Sequence, residues 1–179
     1  MIRTERLELV PAGAELLEAA LAGVEPLAQA LHARVPASWP PEYMDGAALE
    51  YTRDRLVAAP EDAAWWMYFV VLPEAGSRLL IGTAGYKGPP SEDGTVEVGY
   101  SIVRDHQRRG YATEAVHGLV RHAFAHPAVR RVIAETLPEL TPSMGVLRKS
   151  GFDLIGEGSE PGVIRFELTR TSHGARGAA

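Results

Sequence analysis

Residues 111–125, YATEAVHGLVRHAFA, hold the feature that most limits how this chain can fold. Ala112, Ala115, Val116, Leu119, Val120, Ala123 and Phe124 recur at helical spacing as an unbroken apolar stripe, with Glu114, His117 and Arg121 on the opposite face. A stripe that wide needs an apolar surface to lie against. Strand-like runs flank it, Val96–Val103 just before and Arg131–Leu137 just after. Upstream, Trp66–Leu72 and Leu79–Lys87 read as two more strands. The turn segments PEAGSR and GPPSEDG separate the three, which predicts an antiparallel meander. Arg3–Val10 alternates as an opening strand. Glu15–Leu31 has helical spacing that Gly23 and Pro26 interrupt, and Asp45 is placed to cap a second helix running to Ala58. Thr141–Ser150 predicts a short helix stopped by Gly151, followed by closing strands over Phe152–Glu157 and Val163–Thr169. The order βααβββαβαββ specifies an α+β fold with a mostly antiparallel sheet. One domain is expected over residues 1–170, with a mobile tail, 171–179, that has nothing to bury.

With 46% hydrophobic and 23% charged residues in 179, the chain can bury a sizeable core. A net charge of −5 argues against a general binder of nucleic acid or acidic membrane, so any basic site must be local. The absence of cysteine excludes disulfides, thiolate zinc sites and thiol nucleophiles. His106, His117, His122 and His126 cluster without H-E-x-x-H spacing or paired carboxylates, so no metal is expected. The opening MIRTERLELV lacks the apolar segment of a signal peptide, and no apolar run is long enough to span a bilayer. A cytoplasmic monomer or homodimer is the expectation, with neither nucleic acid nor membrane as partner.

Between strand and helix lies HQRRG, residues 106–110. A helix N-terminus leaves its first amides unpaired and carries partial positive charge. Gly110 there lets an oxyanion approach the backbone, Ala112 keeps the next side chain small, and Arg108 and Arg109 add charge, which suits a pyrophosphate. Neither G-x-x-x-x-G-K-[ST] nor G-x-G-x-x-G is present. By itself Q-x-x-G-x-A leaves two readings open: a phosphate cradle, or a tight strand-to-helix turn with solvated arginines.

The segments GTVEVGYSI, DHQRRGYATEAVHGLVRHAF, RRVIAETL and SMGVLRKSGF occur in this order on the elements just assigned. Together they resemble the GCN5-related N-acetyltransferase (GNAT) superfamily. TERLELVP, VEVGYSI and VLRKSGF resemble its RimJ/RimL-type branch, which includes ribosomal-protein alanine acetyltransferases. The resemblance spans Ile2 to Thr169. It implies a mixed, mostly antiparallel sheet flanked by helices and splayed between the strand ending near Val103 and the strand starting near Arg131. It also implies acetyl-CoA as co-substrate, direct attack of a primary amine on the thioester, and no metal. The main chain of Ile102 and Val103 would bond the pantetheine amides. Gln107, Arg108, Arg109, Gly110, Tyr111, Ala112 and Thr113 would cradle the phosphates.

The same resemblance assigns the remaining roles. Gly99 fits a bulge where strand and thioester approach, or a kink without a ligand. Glu97 stands where the branch often has a carboxylate near the acceptor amine; the alternative is an exposed strand carboxylate. Many members protonate the departing thiolate with a tyrosine, but that position here is Leu147. Ser143 matches the serine that the branch places near the sulfur, or it helps cap its helix. Leu140 replaces an asparagine of the branch pattern and Thr141 stands next to it. Trp39 and Tyr43 lie in a proline-stiffened loop, as a wall of the acceptor pocket or as core anchors. The expected acceptor is a primary α-amine of a peptide or protein N-terminus or an amino-acid-like molecule. A small amine such as a drug or polyamine, or a non-catalytic acyl-CoA-binding module, is the alternative.

Overall fold

Thr4 breaks the opening strand in two. Its amide donates to the Leu7 carbonyl at 3.0 Å and its hydroxyl accepts from the Leu7 amide at 3.1 Å. This turn folds β1 (Ile2–Arg3) back onto β2 (Glu8–Pro11). The single strand expected over Arg3–Val10 is therefore a hairpin in this computed structural model, which describes residues 1–177. Next come α1 (Ala14–Ala22) and α2 (Val24–Leu31), parted at Gly23, whose φ of 131° ends the first helix. Pro26 falls in the first turn of α2, where its missing N–H has no helical partner to lose. In α3 (Gly46–Ala58) the Asp45 carboxylate accepts from the Ala48 amide at 2.9 Å.

The meander β3 (Met67–Glu74), β4 (Ser77–Tyr86) and β5 (Thr95–Ile102) pairs antiparallel, with β2 on the outer side of β3. Val70 pairs with Gly82 but Val71 with Leu80, which leaves Ile81 as the extra residue of a bulge in β4. Gly99 pairs in register with Gly85, so the bulge expected there is absent. Helix α4 (Tyr111–Ala125) then crosses the sheet, and β6 (Arg131–Thr136) runs parallel to β5. Helix α5 (Thr141–Lys149), β7 (Asp153–Glu157) and β8 (Ile164–Thr169) complete the strand order β1-β2-β3-β4-β5-β6-β8-β7. The result is an α+β fold with a mixed sheet of eight strands.

Two apolar layers hold it. One face of the sheet packs on α4 and α5 through Val116, Leu119, Val120, Leu147 and Phe166; the other packs on α1–α3 through Leu17, Leu27, Leu49, Phe69 and Leu80. That second layer buries residues of β2–β4, while the same face of β5, β6 and β8 carries Glu97, Arg131, Glu135, Arg165 and Glu167. The C-terminal segment also differs from expectation. Helix α6 (Arg170–Gly177) covers most of the segment expected as a tail with nothing to bury. Arg170 donates to the carbonyls of Phe124, His126 and Val129 at 2.6–3.0 Å, and the His173 ring lies 5.1 Å from that of Phe124. These bonds satisfy carbonyls at the end of α4, which fixes the start of α6. Residues 178–179 of the expected tail lie outside the described residues.

Candidate active site

Strand β5 leaves β6 early. The two pair over Thr95–Glu97 and Arg131–Ile133, while β4 follows β5 to Ile102. From Val98 onward the sheet is therefore splayed. The Glu97 carbonyl accepts from the Lys87 amide at 3.0 Å, and the Val103 amide donates to the Ile81 carbonyl at 2.9 Å. By alternation the odd-numbered residues turn their main-chain groups toward β4, and Val98, Tyr100 and Ile102 turn theirs toward the splay. The Ile102 carbonyl is taken by Gln107 Nε2 at 2.9 Å. Both groups of Val103 are bonded inside the fold, its carbonyl to the His106 amide at 2.9 Å. Of the residues expected to meet pantetheine, Ile102 thus presents its amide and Val103 presents neither group. Tyr100, not among those expected, presents both.

The chain next turns through residues 104–106 into the loop before α4. Arg108 and Gly110 have φ of 59° and 83°, so the backbone reverses twice within three residues. Gly110 is the N-cap of α4 and no side chain caps the helix; the amides of Tyr111, Ala112 and Thr113 have no partner within it. A Cβ on Gly110 would lie 3.3 Å from Arg6 Nη2. Gln107, Arg108, Arg109 and Gly110 are exposed, whereas Tyr111, Ala112 and Thr113 are half-buried. A helix start with small residues, unbonded amides and two arginines fits a pyrophosphate.

Arg6 braces this loop. Its Nη1 donates to the Arg109 carbonyl at 3.1 Å, its Nε to Glu114 Oε2 at 2.7 Å and its amide to Glu114 Oε1 at 2.7 Å; its guanidinium lies 4.7 Å from the Tyr111 ring centroid. Thr4 Oγ1 adds a bond to Glu114 Oε1 at 2.6 Å. Burial works to raise the Glu114 pKa, but the bonds from Thr4 and Arg6 prevail and hold it below the ordinary carboxylate value. Sequence periodicity placed Glu114 on the solvated face. The N-terminal hairpin covers it, a contact across 108 residues that no local pattern reveals. His106 packs near Tyr111, and burial first, then Arg109, lowers its pKa.

The sheet separates the other expected residues onto two sides. Glu97, Gly99 and Ser101 share the polar face. Lys87 Nζ pairs with Glu97 Oε1; that oxygen is buried and takes no aligned hydrogen bond, so the contact is ionic rather than directional. A Cβ at Gly99 would meet nothing within 4 Å, so the row is open between Glu97 and Ser101. Ser101 Oγ donates to the Glu42 carbonyl at 2.8 Å and ties the 36–45 loop to one end of the row, about 13 Å from Glu97 at the usual strand rise. Trp39 packs on Phe69 at 6.1 Å and contacts both core layers, so it is an anchor. Tyr43 is 78% exposed on the same loop.

On the opposite face Tyr100 reaches α5. Its hydroxyl lies 3.1 Å from both the carbonyl and the Oγ of Ser143, in the first turn of that helix. Leu147 is buried in the core, and Leu140 precedes α5 without any side-chain cap. The signal for Tyr100 was present in the VEVGYSI alternation, which puts it on the same side as Val98 and Ile102. Its partner 43 residues away was not.

Comparison with known proteins agrees with this geometry. Residues 6–153 match the model of the acetyltransferase (GNAT) domain. The chain is 27% identical over 161 residues to the N-acetyltransferase YjdG of Bacillus subtilis, covering 89% of this chain and 94% of that one. Its fold superposes on RimL, a ribosomal L7/L12 α-N-protein acetyltransferase solved with coenzyme A, at a TM-score of 0.66 and 15% identity over 93% and 95% of the chains. Aminoglycoside acetyltransferase AAC(6')-Ib, also solved with coenzyme A, gives 0.61 and 17% over 97% and 99%. The chain belongs to the GNAT acetyltransferase family. It is accordingly an N-acyltransferase whose acyl donor is acetyl-CoA. Among the described residues no group of His, Asp and Glu is placed to hold a metal ion, and no helix is long and apolar enough to cross a membrane.

Proposed function

We propose that this acetyltransferase is of the RimJ/RimL type and acts in the cytoplasm on a primary α-amine, of a peptide or protein N-terminus or an amino-acid-like molecule. Bound acetyl-CoA supplies a thioester carbonyl to the splay. The first-turn amides of α4 and the arginines beside them hold the phosphates, and the Tyr100 and Ile102 main chain lines the pantetheine path. The observation that carries the reading is the division of polar groups by the sheet edge, with Glu97 on the open face and Ser143 on the other. An amine approaching over Gly99 meets the thioester from the Glu97 side, while the sulfur departs toward Ser143. The Glu97 carboxylate attracts the ammonium and accepts its proton directly or through water.

The acceptor follows from acidity. An α-amine has a pKa of about 7.8 and a lysine about 10.4, so neutralising lysine takes roughly 3.5 kcal/mol more. A carboxylate side chain, with a reference pKa near 4.3, is by its chemistry a weak base, better matched to the α-amine. The exposed Tyr43 ring, on the loop tied to Ser101, would meet the part of the acceptor that extends beyond the amine. Thiol release from acetyl-CoA should be measured with free peptides, N-blocked lysine peptides, amino acids, polyamines and aminoglycosides. Turnover of free N-termini or amino acids supports the reading. Turnover of the small polycations alone makes it a small-amine enzyme instead.

A further inference from the structure

Lys87, Arg131 and Arg165 line the polar face that β5 shares with β6 and β8, and they are held differently. Arg131 donates to Thr95, Glu167 and Asp93 at 2.6–3.0 Å. Arg165 donates to Glu135, whose two oxygens also accept from the Ser159 amide and hydroxyl. Lys87 pairs with Glu97, and the Oε1 it faces takes no aligned hydrogen bond. The two share one cross-strand row. The Lys87 amide bonds the Glu97 carbonyl at 3.0 Å, one pair beyond Tyr86 and Val98. Gly99, with open space above it, lies about 7 Å further along β5.

The Lys87 side chain is 63% exposed and that of Glu97 only 21%, so the ammonium can withdraw into water while the carboxylate stays. A buried carboxylate oxygen without a counter-charge is costly, and a substrate ammonium taking the place of Lys87 Nζ removes that cost. The displaced ammonium remains within a side chain's length, because its main chain is fixed opposite Glu97.

We infer that Lys87 holds the place of the acceptor's ammonium and selects acceptors with an anion a few bonds from the reacting amine. This rests on the α-amine reading of the Glu97 site. The acceptor's ammonium pairs with Glu97 and its carboxylate with the released Lys87, so one ion pair is exchanged for two. An α-amino acid, or an N-terminus followed by aspartate or glutamate, has this chemistry. An uncharged acceptor leaves Lys87 competing for Glu97, and a polyamine sets a second cation against it. Acetylation removes the acceptor's positive charge, so Lys87 regains Glu97 as product leaves.

The test measures kcat/KM by thiol release for matched acceptors with wild type, Lys87→Met and Lys87→Arg. The acceptors are alanine with alaninamide, and the C-terminally amidated dipeptides Ala-Asp with Ala-Asn. Comparing each pair across enzymes cancels differences in intrinsic amine acidity. The anionic-to-neutral ratio should be about three- to fivefold higher in wild type than in Lys87→Met, the contribution of one partly exposed ion pair. Lys87→Arg should keep most of the wild-type ratio. Lys87→Met should also lower KM for the neutral acceptors and leave KM for acetyl-CoA unmoved. A change confined to the alanine pair supports a free amino acid as acceptor, and one confined to the dipeptides supports an acidic N-terminus. A ratio unchanged in Lys87→Met, or lost equally in Lys87→Arg, overturns the inference and leaves the α-amine reading standing. Absence of turnover with every α-amine overturns both.

Discussion

Replacing Gly110 with valine tests the phosphate cradle through two separate energies. The first is backbone strain. Gly110 has φ of 83°, where an L-residue costs about 1–2 kcal/mol and a β-branched one is at the upper end. The new Cβ would also stand 3.3 Å from Arg6 Nη2, at the end of a flexible side chain that can shift by a few tenths of an ångström. Folding should therefore weaken by about 2 kcal/mol, a fall in Tm of about 4–8 °C for a chain of this size. The second energy is the loss of close approach between phosphate oxygens and the amides beside Gly110. Each such bond contributes about 1.5–3 kcal/mol, so losing one should raise the Kd for CoA about 10- to 150-fold. Gly110→Ala should pay most of the strain but little of the affinity. Calorimetric titration with CoA and thermal melts separate the two terms. A folded Gly110→Val protein that binds CoA as tightly as wild type would refute the cradle.

Other predictions follow from the same contacts. Arg6→Ala should raise the KM for acetyl-CoA several-fold at nearly constant kcat and destabilise the fold by about 1 kcal/mol, since the Arg6–Glu114 pair is partly exposed. Arg6→Lys should recover only part of this, because an ammonium cannot reproduce the fork to carboxylate and carbonyl; unchanged KM in both variants contradicts the brace. Glu114 has a depressed folded pKa, so its stabilisation is complete above the unfolded value of about 4.3 and is lost as pH falls through the lower folded value. Glu114→Gln should accordingly flatten denaturant stability between about pH 5 and 3, and an equally steep loss in the variant would place the titration elsewhere. Glu97→Gln should lower kcat about 100-fold with CoA binding intact, as for loss of a proton acceptor, and undiminished turnover would remove Glu97 from the reaction.

Much of the fold was legible because its signals are local. The α4 stripe, the meander turns and the Asp45 cap each involve residues within a few positions of one another. The loop and helix start of the proposed cradle were legible for the same reason, since Gln107 through Thr113 are contiguous. What escaped came from long-range contacts or from phase. Thr4 divides the opening strand although Leu7 and Leu9 alternate as expected. The Arg6–Glu114 brace and the Tyr100–Ser143 pair join segments that only the sheet brings together. The alternation of β5 exposes Tyr100 and Ile102 to the splay and turns Val103 away, a parity that depends on its register with β4. Helix α6 forms because Arg170 meets the end of α4, which nothing in its own composition indicates.

The acceptor is the central claim, and one peptide tests it. A substrate with one free α-amine and one internal lysine should be incubated with the protein and acetyl-CoA, and the acetylated position located by fragment mass spectrometry. Near neutral pH the neutral fraction of the α-amine exceeds that of lysine roughly 300-fold, so acetyl should appear on the N-terminus at least tenfold over the side chain. Acetylation of lysine at an equal or higher level would contradict the account.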